Sequence, residues 1–148
     1  KLLLYAGGRM VTTEDVGLLV SQAREANIFD LVDCVGRRET GPALQLLHRL
    51  LDESEPPLRL LAMLARQIRI LIQLREILEQ EIAPREVARQ LKLHPFVVQK
   101  GLTQARNFEL AQLEAAHERV VQTDWAIKSG RSDPILALDM LVVALTRA

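Results

Sequence analysis

Aromatic residues are scarce in this sequence, cysteine is nearly absent, and neither sign of charge is in excess. One tryptophan, one tyrosine and three phenylalanines among 148 residues, against 49% hydrophobic content, mean that any core must be aliphatic. The single cysteine, Cys34, excludes an internal disulfide and suits a reducing compartment. Basic and acidic residues balance at 19 each, so no net positive field gathers nucleic acid or an anionic membrane. The longest hydrophobic stretch carries several arginines, which argues against a transmembrane span, and Lys1-Leu2-Leu3-Leu4-Tyr5 is too short for a secretory apolar region. The chain opens on that apolar run without a methionine, as a piece of a longer protein would. Glycine-rich phosphate loops and nucleophile signatures are also missing, so no catalytic, cofactor-binding or metal-binding residues are expected. Glycine and proline, 7 and 6 residues, stand mainly at punctuation points.

The longest uninterrupted stretch is Pro57–Gln80, PLRLLAMLARQIRILIQLREILEQ, with proline only at its first position. At about 100° per residue its apolar side chains cover most of the circumference. Leu61, Leu64, Ile68, Leu71, Ile72 and Leu78 line one edge, and Leu60, Met63, Ile70, Leu74 and Ile77 the other. Arg59, Arg66, Arg69, Gln73 and Gln80 share a narrow polar strip. A surface helix has only one apolar stripe, so a helix greasy over most of its girth must be covered on several sides. The fold expected is all-α, a helical bundle with this rod at its centre. A chain of this length is one domain's worth, burying roughly two-thirds of its unfolded surface.

The remaining elements follow from their stops. Lys1–Ala6 is expected to be the last turns of a helix, ended by Gly7-Gly8. Thr12 or Thr13 caps a short helix to about Ser21, with Glu14 and Asp15 in its first turn. The polar piece Gln22–Asn27 is the expected domain boundary, with continuous helix through it as the alternative, and Asn27 then caps a helix from Ile28 to about Val35. Thr40 caps Gly41–Leu51, with Pro42 in the first turn. After the rod come Pro84–Leu91, Pro95 to about Asn107, Glu109 to about Ser129, and Asp133 to about Arg147 capped by Ser132. The last of these is apolar nearly all round, so it is either a second core helix or has one flank against another protein. No strand, repeat or low-complexity segment is expected.

Few residues invite a chemical reading. His48, His94 and His117 are far apart, and Cys34 has no partner, so no metal-ligand pair forms. Asp124 falls in the middle of the apolar face of the helix from Glu109, with His117 beside it and Lys128 four residues on. Such a pair serves either to fix helix register internally or to meet a neighbouring subunit. The segment Val87–Leu102, VARQLKLHPFVVQKGL, has the layout of a helix-turn-helix, which would make residues 84–107 a nucleic-acid-binding module. Against this, Lys92 stands where such turns place glycine, and the supposed reading helix starts Pro95-Phe96-Val97-Val98, with Lys100 and Arg106 arriving late. An αα-hairpin packed on the bundle fits better. Arg59, Arg66 and Arg69 read as an ordinary solvated face.

With the helices placed, a series of phrases in fixed order carries a family resemblance: GGR-MVTTEDV, NIFDLVDCVGRR, ALQLLHRLLDESEPP, LLAMLARQIRILIQL, EVARQLKLHPFVVQKGLTQAR and TDWAIKSGRSDPILALDMLV. Across nearly all 148 residues the chain resembles the C-terminal part of the bacterial DNA polymerase III delta subunit, a clamp-loader component. The resemblance implies that residues 1–22 are the tail of a AAA+-type helical lid and residues 23–148 a helical collar domain used for oligomerisation. It implies a non-catalytic, cytoplasmic assembly role, without cofactors, in the polymerase III complex. The partners implied are delta prime and gamma/tau through the collar, with DNA met only as part of the complex. The sliding beta clamp would be reached through an N-terminal domain that these residues do not include. Part of the apolar surface of Asp133–Arg147 or of Pro57–Gln80 is then expected to face neighbouring collars.

Overall fold

The computed structural model describes residues 2–6 and 9–147. It opens not with helical turns but with an antiparallel hairpin, β1 (Leu2–Ala6) and β2 (Arg9–Thr12). Leu4 stands opposite Val11 and Tyr5 opposite Met10, with an irregularity between Leu2 and Leu4. The expectations of helix over Leu2–Ala6 and of no strand are therefore corrected. A segment that short cannot repay helix nucleation by itself, and two apolar runs separated by Gly-Gly are a hairpin signal. The proposed helix stop at Gly7-Gly8 lies outside the described residues, as does Lys1.

Thr12 ends β2 and starts α1 (Thr13–Gly36). Its hydroxyl accepts from the Asp15 N–H at 3.2 Å, while the Asp15 carboxylate accepts from the Thr12 N–H at 3.0 Å. Thr12→Ala is expected to remove about 1 kcal/mol from the start of this helix. Faster amide exchange confined to its first turn would register the loss. The helix then runs through Gln22–Asn27 without a break, so the two short helices expected there are one. Ala23, Arg24, Glu25 and Ala26 are among the stronger helix formers, and no proline interrupts them. Asn27 is an interior residue rather than a cap.

Six more helices follow among the described residues: α2 (Thr40–Asp52), α3 (Pro57–Ile77, prolonged by a 3-10 turn Leu78–Gln80), α4 (Pro84–Leu91), α5 (Pro95–Ala105), α6 (Leu110–Lys128) and α7 (Pro134–Arg147). Four begin with proline at the first position, where the missing donor costs nothing. Two caps differ from expectation. Asp133, not Ser132, accepts the Leu136 N–H at 3.0 Å. Thr40 leaves the cap position to Glu39 and instead places its hydroxyl 2.8 Å from that of Thr146 on α7. Arg38, Ser54, Glu81 and Lys92 take the left-handed conformation at helix ends, where glycine would be the usual signal.

α3 is the axis, touching α1, α5, α6 and α7, while α2 packs between α1 and α7. Leu60, Leu61, Leu64, Ile68, Ile70, Leu71 and Leu74 of α3 are buried. Burying side chains of this size contributes about 1.5–3 kcal/mol each before conformational entropy is set against it. Ile28, Leu31 and Val32 of α1, Leu47 and Leu50 of α2, Val87 of α4, Val98 of α5, Leu113 and Val120 of α6, and Leu138, Leu141 and Leu145 of α7 share the core with them. Arg75 near the end of α3 donates to the Phe108 carbonyl at 2.8 Å, just before α6 begins, so α6 runs antiparallel to α3.

Candidate interaction surface

The residues singled out by chemistry lie scattered over the bundle. His48 Nε2 lies 2.6 Å from an Asp139 carboxylate oxygen and joins α2 to α7. His94 caps α5, its Nδ1 accepting the Phe96 N–H at 3.1 Å. His117 has its Nε2 buried with no hydrogen-bond partner. The histidines thus serve three separate places, and among the described residues no group of three or more His, Cys, Asp or Glu side chains converges on a metal position. Lys128 Nζ and Asp124 meet at 2.8 Å in a half-exposed pair on one face of α6. Arg59, Arg66 and Arg69 are exposed.

Cys34 sits half-buried near the end of α1. Burial above all, then the negative charges of Glu39 and Asp33, push its thiol up, with Arg37 opposing. The thiolate is the reactive form. Alkylation by iodoacetamide at pH 8 is therefore expected to run several-fold slower in the folded chain than in urea. Equal rates would refute the shift. Glu86 on α4 goes the other way: a bidentate bond from Arg89 holds its carboxyl below the ordinary range, and the same bond raises Arg89.

The α4–α5 pair packs as a hairpin on the bundle. Val98, Gly101, Gln104 and Ala105 of α5 are buried. Gln104 donates to the Phe29 carbonyl of α1 and accepts from Gln67 of α3, both at 3.0 Å, tying three helices with one side chain. A methyl group at Gly101 would lie 2.4 Å from Leu74 Cδ1, so glycine permits a close approach of α5 to α3. Lys100, the earlier of the two cations on the supposed reading helix, lies over the rings of Phe96 and Phe29, 4.8 and 5.2 Å from their centroids. Its charge is held against α1.

The surface that stands out is apolar. Five of the eight exposed large apolar side chains among the described residues lie on the last two helices: Val121 and Trp125 on α6, Ile135, Leu136 and Met140 on α7. Helical spacing explains the arrangement. Leu138, Leu141, Val142 and Leu145 turn one side of α7 into the core, which leaves Leu136 and Met140, four residues apart, stacked on the other side at 57% and 65% exposure. Val121 and Trp125 repeat that spacing on α6. The turn between the helices is tight, with Gly130 at a φ of 76°, so Trp125, Ile135 and Leu136 gather at one end of the helix pair. Arg131 stacks on the Trp125 ring at 4.4 Å. The central helix contributes little to this surface, since among its large apolar residues only Leu58 is exposed, at 38%. Sequence reasoning had no means of singling out Trp125: one aromatic at an irregular position in an amphipathic helix carries no periodic signal.

Comparison with known proteins agrees on one family. The family model described as "DNA polymerase III delta subunit, C-terminal domain" matches residues 25–145. The DNA polymerase III subunit delta of Bacillus subtilis (strain 168) is 32% identical over 148 residues, covering 99% of this chain and 43% of the relative. The solved Bacillus subtilis DNA clamp loader delta protein superposes with a TM-score of 0.82 at 31% identity, covering 96% of this chain and 42% of that one. The chain thus spans less than half the length of the curated relative it matches.

Proposed function

Since the chain belongs to the family formed by the C-terminal domain of the DNA polymerase III delta subunit, we propose that it is the collar of a clamp-loader delta subunit, an assembly domain without catalysis of its own. The carrying observation is the apolar face on α6 and α7. A monomeric domain has no reason to leave Trp125, Leu136 and Met140 in water, whereas the centre of a lasting interface between subunits is built from such side chains. The partners are the collars of delta prime and gamma/tau, in the cytoplasmic complex that opens the sliding beta clamp and loads it on primed DNA during replication.

In this reading residues 1–22 are the tail of the lid and residues 23–148 the collar, and the start of the family match at residue 25 supports that division. The two parts share α1, which has no glycine or proline between residues 18 and 35. A strut rather than a hinge therefore joins them, and motion of the lid would reach the bundle as a lever. Arg24 of α1, paired with the nearly buried Glu55 between α2 and α3, fastens that strut at the seam. The residue contacts of α4–α5 support packing over nucleic-acid reading.

The test is reconstitution of the full-length protein with delta prime and gamma from the same organism. Co-elution of all three on size exclusion is expected. Failure of the full-length protein to enter any complex, with each component folded, would defeat the proposal.

A further inference from the structure

A cleft of about 40 Å³ opens between the end of α1, the start of α6 and the end of α7. Its floor is Val35, Phe108, Ala116 and Leu145, and the same four residues line a void of about 10 Å³ beneath it. That void is walled by apolar side chains alone, so water gains no partners there and an apolar group is the natural filling. Its polar lining is Asn107, Gln112 and two arginines, Arg38 and Arg119, both exposed. No carboxylate lines the cleft, and among the described residues neither arginine is in an ion pair. The contrast is local: Arg37, next in sequence, pairs with Asp33 at 2.9 Å and also approaches Glu39. Helical spacing puts Ala116 and Arg119 on the flank of α6 away from Val121 and Trp125, so the cleft is separate from the apolar face.

From this charge pattern we infer that the cleft binds a peptide segment of another protein, in which a small aliphatic side chain adjoins a carboxylate. The aliphatic group fills the floor and the carboxylate lies between Arg38 and Arg119. Charge complementarity selects the carboxylate, because two unpaired cations at a concave apolar site have no neutralising group of their own. A nucleic-acid backbone satisfies only half of the site, since a phosphodiester offers nothing to the apolar floor and two cations make a small electrostatic footprint.

The probe is the blocked dipeptide acetyl-Val-Asp-amide, titrated into the nitrogen-15-labelled chain, with acetyl-Val-Asn-amide as its uncharged isostere. Saturable amide shifts are expected at Gly36, Arg38, Phe108 and Ala116. Affinity should be roughly fivefold weaker for the asparagine peptide, from loss of two surface charge contacts. Arg38→Gly, which relaxes a left-handed position (φ 59°), and Arg119→Gln should each weaken the aspartate peptide and leave the asparagine peptide unchanged. Equal binding of the two peptides, shifts centred elsewhere, or no saturation below roughly 20 mM would overturn the inference. So would a twelve-nucleotide thymidine strand that shifts the same amides more tightly than the peptide.

Discussion

Leu74→Ala is expected to cost about 3–4 kcal/mol of folding stability, read as a lowered urea midpoint at unchanged slope. Leu74 is fully buried on the central helix, and the nearest surface of α5 is Gly101, which has no side chain to move into the space left behind. A site that cannot collapse lies toward the upper part of the range for such truncations. Gly101→Ala probes the same contact from the other side. Its new methyl would meet Leu74 Cδ1 at 2.4 Å, far inside contact distance, and Leu74 has no solvent to turn into. Overpacking of this kind costs about 1–3 kcal/mol, offset by about 1 kcal/mol because alanine is the better helix former. Combining the two changes gives the decisive result. The alanine methyl at position 101 enters the room that Leu74 vacates, so the double variant should be about 1–2 kcal/mol more stable than the sum of the singles predicts. Additive effects would mean that α3 and α5 do not touch there.

The cost at Leu74 follows from the centrality of α3, and that much was legible in the residues themselves. Apolar groups on both edges of Pro57–Gln80 demand neighbours on several sides, and the structure supplies α1, α5, α6 and α7. Prolines at residues 57, 84 and 95 mark helix starts because their effect on the backbone is local and independent of tertiary contacts. Helix ends were harder, since Arg38, Ser54, Glu81 and Lys92 occupy positions where only glycine would have announced the left-handed turn. Continuity across Gln22–Asn27 was hidden for a different reason. Polar residues interrupt the apolar period without lowering helix propensity, so periodicity suggested a helix break where the backbone has none. At the N-terminus Leu2–Ala6 has neither length nor clean alternation, and pairing with Arg9–Thr12 decides its conformation. The exposed apolar face was legible at the level of a helix, as an excess of apolar residues on α7. Which of them are left in water depends on the angle at which α7 meets α2 and α6, and no single helix encodes that angle.

Placing a charge on that outward face separates assembly from folding. Leu136→Asp with Met140→Asp is expected to leave the stability of the isolated chain within about 0.5 kcal/mol, because both side chains are mostly in solvent already. Position 136 even favours an acid, lying in the first turn of α7 where the helix dipole welcomes negative charge. Assembly should respond very differently. If these residues sit at the centre of an interface with another collar, each substitution buries an unpaired carboxylate and removes an apolar anchor, at about 2 kcal/mol or more per site. Together that is a loss of affinity of roughly three orders of magnitude, visible as failure of the full-length protein to co-elute with delta prime and gamma. Arg66→Glu, a charge change of comparable severity on the exposed strip of α3, is the matched control and should assemble normally. The discriminating pattern is the difference between the two faces. If the aspartate pair assembles as well as the control, the apolar face of α6 and α7 is not what holds the protein in its complex. Selective failure of the aspartate pair at unchanged stability would instead tie the oily side of α7 to a neighbour, because no other property of the chain would have altered.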